Sequence, residues 1–157
     1  LFSDGSVKNP ANQLWALGGF GVWTKTPQED DEESSSSTVF HQREADHGIA
    51  RWGPLAGFST SSTRNELAAA IMGLMFPRPV HIGSDSESFV NKANFLLRAA
   101  RNWLVTYGTA NHSVRNPMGK PWAMQTDGDL WQIFWGAVLT RGPGSCAFYM
   151  DQRACNR

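Results

Sequence analysis

The sequence has no apolar run approaching the roughly 18 residues that a membrane-spanning helix needs, so neither a span nor a membrane partner is expected. It has only two cysteines, Cys146 and Cys155, and their spacing is not that of a zinc site. A disulfide framework and a thiolate-held zinc are thereby excluded, and a reducing, intracellular setting fits, nucleus and cytoplasm not being distinguished. No signal-peptide pattern and no initiator Met open the sequence, and the expectation is an excised domain or a fragment. No internal repeat is visible. Formal net charge is zero, fourteen Lys and Arg against fourteen Asp and Glu, which argues against a strongly basic nucleic-acid binder.

That balance conceals an uneven distribution. The run "EDDEE" (Glu29 to Glu33) holds five of the fourteen acids, so the remaining sequence sets fourteen basic residues against nine acids. A phosphate-bearing partner is therefore compatible with the charge. The surrounding stretch, 26–38, joins Pro, acids and serines, cannot bury apolar surface, and is expected to be a disordered insertion. The whole sequence, residues 1–157, is expected to form a single domain, since 41% hydrophobic residues with nine Phe and seven Trp can fill one core.

Strand signals flank the insertion. "LWALGGFGVWTK" mixes aromatic and β-branched residues with Gly18, Gly19 and Gly21, which suggest a bulge or a close backbone approach. Segments 11–24 and 38–58 read as antiparallel neighbours. "STSSTRNELAAAIMGLMF" is the clearest helix, with a T-x-x-E capping box at Thr63 and Glu66, and with Leu67, Ile71, Leu74 and Met75 on one face. Pro77 and Pro79 end it, and "PVHIGSDS" reads as a buried strand parallel to the first. Two more amphipathic helices follow: one buries Phe89, Val90, Ala93, Leu97 and Ala100, the other Leu130, Phe134, Val138 and Trp131. "SCAFYM" begins a last strand. The order β-β-β-α-β-α-α-β implies an α/β (α+β mixed) fold, a mixed sheet with helices packed on it.

Three acids hold the chemistry, and each has a plain alternative. Asp4 opens an Asp-Gly turn signal, Glu66 completes the capping box, and Asp85 suits the N-cap of the helix after it. Their joint placement favours another role. Asp4 is expected to end the first strand, Asp85 a strand beside it, and Glu66 lies at the start of the connecting helix. Strand ends in such sheets face a shared crevice. Three carboxylates converging there repel by roughly 4 kcal/mol per close pair at an effective dielectric near 20. A cation relieves that repulsion, and an oxygen-only donor set suits Mg²⁺ or Mn²⁺.

In this order, "FSDGS…NP", "STSSTRNELAAAIMGL", "VHIGSDSESFV" and "GKPWAMQTDGDLWQIF" resemble the type 1 ribonuclease H domain, particularly its divergent retroelement versions, from Phe2 to about Pro143. The resemblance implies a five-stranded mixed sheet with helices on both faces. It also implies an enzyme, an endonuclease hydrolysing the RNA strand of RNA–DNA hybrids with two divalent ions. Asp4 would bridge both ions, with Glu66 and Asp85 as the next catalytic and metal-ligating acids. Gly5, Ser6, Asn9, Ser62 and Thr63 fall where the family contacts substrate and tells RNA from DNA through the 2′-hydroxyl. At the positions of Ser62 and Thr63 the family often carries Asn or Gln instead.

The sequence departs from the family at its end. A fourth carboxylate, preceded by a Lys-Gly-His loop, should follow the last strand; "DQRACNR" follows instead, with Asp151 the one acid there. Residues 144–157 thus read as a diverged or incomplete end with an uncovered sheet edge. Two rival readings remain: a catalytically defective nucleic-acid-binding module of the same fold, and a transposase or integrase core. The latter needs a late helical Glu, where Asp127 and Asp129 look like helix-start residues. Lys92, Arg98 and Arg101 offer a basic helix face for phosphates or a merely solvated one. Trp131 and Trp135 read as core, while Trp122 is open. His81 is expected inside the sheet or against a helix, and His41, His47 and His112 at the surface.

Overall fold

The computed structural model describes residues 1–8, 17–24, 40–43, 48–55, 61–76, 79–107 and 116–151. The insertion at 26–38, Asn9, His47, His112 and Cys155 lie outside them.

Six strands form one sheet: β1 (Phe2–Lys8), β2 (Leu17–Thr24), β3 (Phe40–Arg43), β4 (Ile49–Pro54), β5 (Val80–Ser84) and β6 (Cys146–Met150). Their order is β3-β4-β2-β1-β5-β6, antiparallel as far as β1 and parallel from β1 through β5 to β6. Five of these are the expected strands in a mixed sheet, and β5 is the parallel neighbour of β1 as anticipated. The sixth arises because segment 38–58 makes two strands, β3 pairing back on β4 at the edge. The glycines of β2 make no bulge: β1 and β2 pair without interruption from Phe2↔Trp23 to Lys8↔Leu17.

Three helices accompany the sheet: α1 (Ser62–Leu74), α2 (Glu87–Tyr107) and α3 (Gly128–Arg141). They share one core with one sheet face, where Val80, Ile82, Cys146 and Phe148 are buried. Phe89 of α2 is its centre, with Trp131, Phe134 and Phe148 rings each 6.0 Å away. Trp131 and Trp135 are core residues, as their apolar helical neighbours foretold. The predicted buried face of α2 is found, and that of α3 at Trp131, Phe134 and Val138, with Leu130 half-buried, whereas Met75, just beyond α1, is exposed. Small residues replace it: Ala69, Ala70 and Gly73 let α1 lie close to the sheet, Gly73 against Ile82.

Among the described residues helices cover this face alone. Residues alternate across a strand, so the neighbours of Ile82 and Phe148 point the other way. His81 is exposed there, contrary to its expected burial, and Tyr149 lies exposed over Gly83.

Both ends of α1 are tied to α3. At its start Ser61 Oγ and Arg64 bond Asp127, and Arg64 also bonds Asp129. At its end Arg141 Nη1 donates to the carbonyls of Leu74 (2.7 Å) and Phe76, satisfying acceptors that a helix C-terminus leaves open. The helix that carries Glu66 is therefore fixed along its length.

Candidate metal centre

Carboxylate oxygens of Asp4, Glu66 and Asp85 lie within 4.8 Å of one another. Three separate elements bring them together. Asp85 is the first residue beyond β5, and Glu66 projects from the second turn of α1. Asp4 is the third residue of β1, opposite Gly21 of β2. It does not end its strand, and Asp4-Gly5 is no turn: full pairing with the glycine-rich β2 carries β1 on to Lys8. What opens the crevice is β5, which pairs with β1 at Phe2↔Gly83 and stops at Ser84.

The alternatives for the other two acids fail locally. Ser61, rather than Thr63, caps α1: its backbone is extended and its Oγ accepts from Arg64 N at 3.0 Å. Glu66 thus takes no part in a capping box. Ser86 serves α2, its Oγ accepting from Phe89 N at 3.4 Å, which leaves the exposed Asp85 carboxylate unused by a cap.

Glu66 is only 2% exposed. Its Oε1 accepts from Gly5 N–H (2.5 Å) and its Oε2 from Ser84 Oγ–H (2.8 Å). Burial pushes its carboxyl up to about 7, against the two hydrogen bonds, which favour the anion; the charges of Asp85 and Asp4 push it further up. Without a cation the crevice resists holding three negative charges.

Of the expected substrate contacts, Gly5 packs directly on α1, where a β-carbon would strike the Asn65–Glu66 backbone. Ser6 is exposed in β1, its carbonyl accepting from Asn65 Nδ2 at 2.6 Å. Ser62 is exposed and Thr63 half-buried in the first turn of α1. Asn9 lies outside the described residues. Sequence reasoning missed Ser84 and Arg64. A serine between Ile82 and Asp85 in an apolar strand was the available sign of the first; nothing in the local pattern marked the second.

The basic face on α2 is largely consumed by local contacts. Lys92 Nζ sits 4.3 Å over the Trp131 ring and bonds Gln125 Oε1, while Arg101 donates to Pro143 O. Trp122 is half-buried, lining a shallow cleft with Arg64, Gln125, Asp127 and Asp129. Asp127 and Asp129 are helix-start residues, as expected, and both are engaged by Arg64. Asp151 follows β6, its N–H donating to Ser84 O at 2.9 Å, yet the group of converging acids among the described residues is Asp4, Glu66 and Asp85.

No protein-family model and no curated protein matches the chain. Among solved structures it is similar to the solution structure of the PFV RNase H domain, at 17% sequence identity and a TM-score of 0.50, over 96% of this chain and 76% of that one. The fold is ribonuclease H-like.

Proposed function

We propose that this ribonuclease H-like domain is a metal-dependent nuclease that hydrolyses the RNA strand of RNA–DNA hybrids. The observation that carries the reading is the convergence of Asp4, Glu66 and Asp85 from three elements onto one crevice. The donor set fits a hard divalent cation: it is all carboxylate oxygen, and burial, with the charges of Asp85 and Asp4 beside it, pushes Glu66 towards protonation. Asp4, Glu66 and Asp85 would hold Mg²⁺ or Mn²⁺. The bound cations would supply activation of water and charge stabilisation at the departing 3′ oxygen.

The chain's own residues do the rest. Gly5 and Ser84 orient the Glu66 carboxylate, and the rigid seat of α1 keeps its first turn in place beside β1. Gly5, Ser6, Ser62 and Thr63 border the acids, where backbone groups and hydroxyls can meet a 2′-hydroxyl. Asn9 is proposed as a further contact. The whole 157-residue stretch acts as one domain in this reading, with 26–38 an insertion and 144–157 a diverged end.

The second reading, a hybrid-binding module without activity, is favoured by the lack of a fourth acid in the group among the described residues. The two are separated by incubating a labelled RNA–DNA hybrid with the protein in Mg²⁺ and then Mn²⁺, beside Asp4→Asn and an EDTA control. The nuclease predicts RNA-strand cleavage that requires metal and is lost in Asp4→Asn. Retained hybrid binding with no cleavage in either metal selects the binding module.

A further inference from the structure

We propose that Ser84 is a positioning residue that holds the Glu66 carboxylate ready for a divalent cation; the proposal rests on the metal reading above. Ser84 is 1% exposed and is a polar residue in a strand whose neighbours Val80 and Ile82 belong to the core. A hydroxyl has one proton to donate. Ser84 Oγ accepts from Ser86 N–H at 3.1 Å, so its proton is directed to Glu66 Oε2 at 2.8 Å.

With Gly5 N–H on Oε1, each oxygen of Glu66 then has one donor, and the carboxylate cannot turn without breaking a buried bond. The second lone pair of each oxygen stays available beside Asp4 and Asp85. Ser84 is itself well anchored: β5 pairs it with Met150 of β6, and its carbonyl accepts from Asp151 N–H. Its bond to Ser86 N–H reaches into the turn that carries Asp85. One hydroxyl therefore sets the spacing between an acid on α1 and an acid at the end of β5. Partners of this kind orient ligands so that a cation meets a prepared site, and losing one costs about 10–100-fold in metal affinity.

The test is calorimetric titration of Mn²⁺ into the wild type, Ser84→Ala, Ser84→Cys and Ser84→Thr, with thermal midpoints measured alongside. Ser84→Cys keeps the shape with a somewhat larger atom and replaces the hydroxyl by a weak donor, and Ser84→Thr keeps the hydroxyl. Expected is Mn²⁺ binding about 10–100-fold weaker in the Ala and Cys variants, and near wild type in Thr. Folded Ala or Cys variants that bind as the wild type does overturn the role of Ser84 and leave the metal reading standing. A wild type that binds no Mn²⁺ overturns the metal reading and this proposal with it. Equal losses in Thr and Ala indicate packing rather than the hydroxyl and overturn it too. Should Ser84→Ala not fold, Ser84→Cys is read in its place; if neither folds, Ser84 is a structural residue and the proposal falls.

Discussion

Arg64 and Asp129 meet as a two-pronged ion pair, Nη1 to Oδ1 at 2.8 Å and Nη2 to Oδ2 at 2.7 Å, joining the first turns of α1 and α3. Nη1 also reaches Asp127 Oδ1 at 3.3 Å. The pair shifts both groups as mutual attraction requires: Arg64 is raised, and Asp129 is lowered to about 2, chiefly by the Arg64 hydrogen bonds. Asp129 is 60% exposed at its side chain, whereas that of Asp127 is only 6% exposed.

The two ends of the bridge should therefore respond differently to mutation. Arg64→Ala strands the buried Asp127 carboxylate and is expected to cost about 3 kcal/mol of stability. Asp129→Asn removes a solvent-screened charge and is expected to cost about 1 kcal/mol or less. Urea unfolding of both variants checks the order. The Asp129 carboxyl is lowered in the folded protein, so its contribution is present above the ordinary carboxylate range and is lost as pH falls towards 2.

Gly5 should tolerate no side chain. A β-carbon there meets the backbone of Asn65 and Glu66, which cannot yield as a flexible side chain can. Gly5→Ala is expected to push β1 off α1 and cost about 3 kcal/mol or more. It would also break the Gly5–Glu66 bond. The unfolding midpoint reads the first effect, and Mn²⁺ affinity the second.

Stability without metal should fall as pH rises towards neutrality. Glu66 is raised in the folded protein, from 4.5 to about 7, so the folded state binds the extra proton between those values. A raised carboxyl favours folding fully below its unfolded value, and that advantage is lost as pH climbs through 4.5 to 7. The change amounts to about 3 kcal/mol. Thermal midpoints in EDTA from pH 4.5 to 8 should decline in the wild type and flatten in Glu66→Gln. Adding Mn²⁺ at pH 7.5 should restore the wild type and leave Glu66→Gln unmoved.

The helices were legible because their apolar residues recur at helical spacing: Phe89, Val90, Ala93, Leu97 and Ala100 are buried where that period puts them. The strand β5 was legible as a short apolar run bounded by Pro and by Asp-Ser. The three acids could be singled out because each stands at the edge of such an element. Their short mutual distances could not be read, since that depends on which strands pair.

Local signals failed where two residues of one type compete for a role. Thr63 and Ser61 both suit a helix cap, and the extended backbone at Ser61 decides between them. Asp4-Gly5 has the chemistry of a turn, yet pairing with β2 on one side and contact with α1 on the other hold it extended. His81 alternates with Ile82, and which of them meets the helices depends on the side of the sheet that α1 occupies.

The sequence by itself determined the element types and the alternation of apolar and polar positions, because those follow from backbone periods of 3.6 and 2 and from the placement of Gly and Pro. Only the tertiary structure decided the rest: that β5 stops beside the start of β1, just short of Asp4, that Glu66 is buried between Gly5 and Ser84, and that Arg64 locks α1 to α3. The hydrogen bonds among these join residues 18, 61 and 65 positions apart. Such contacts depend on how helices and sheet pack together, which no local period encodes.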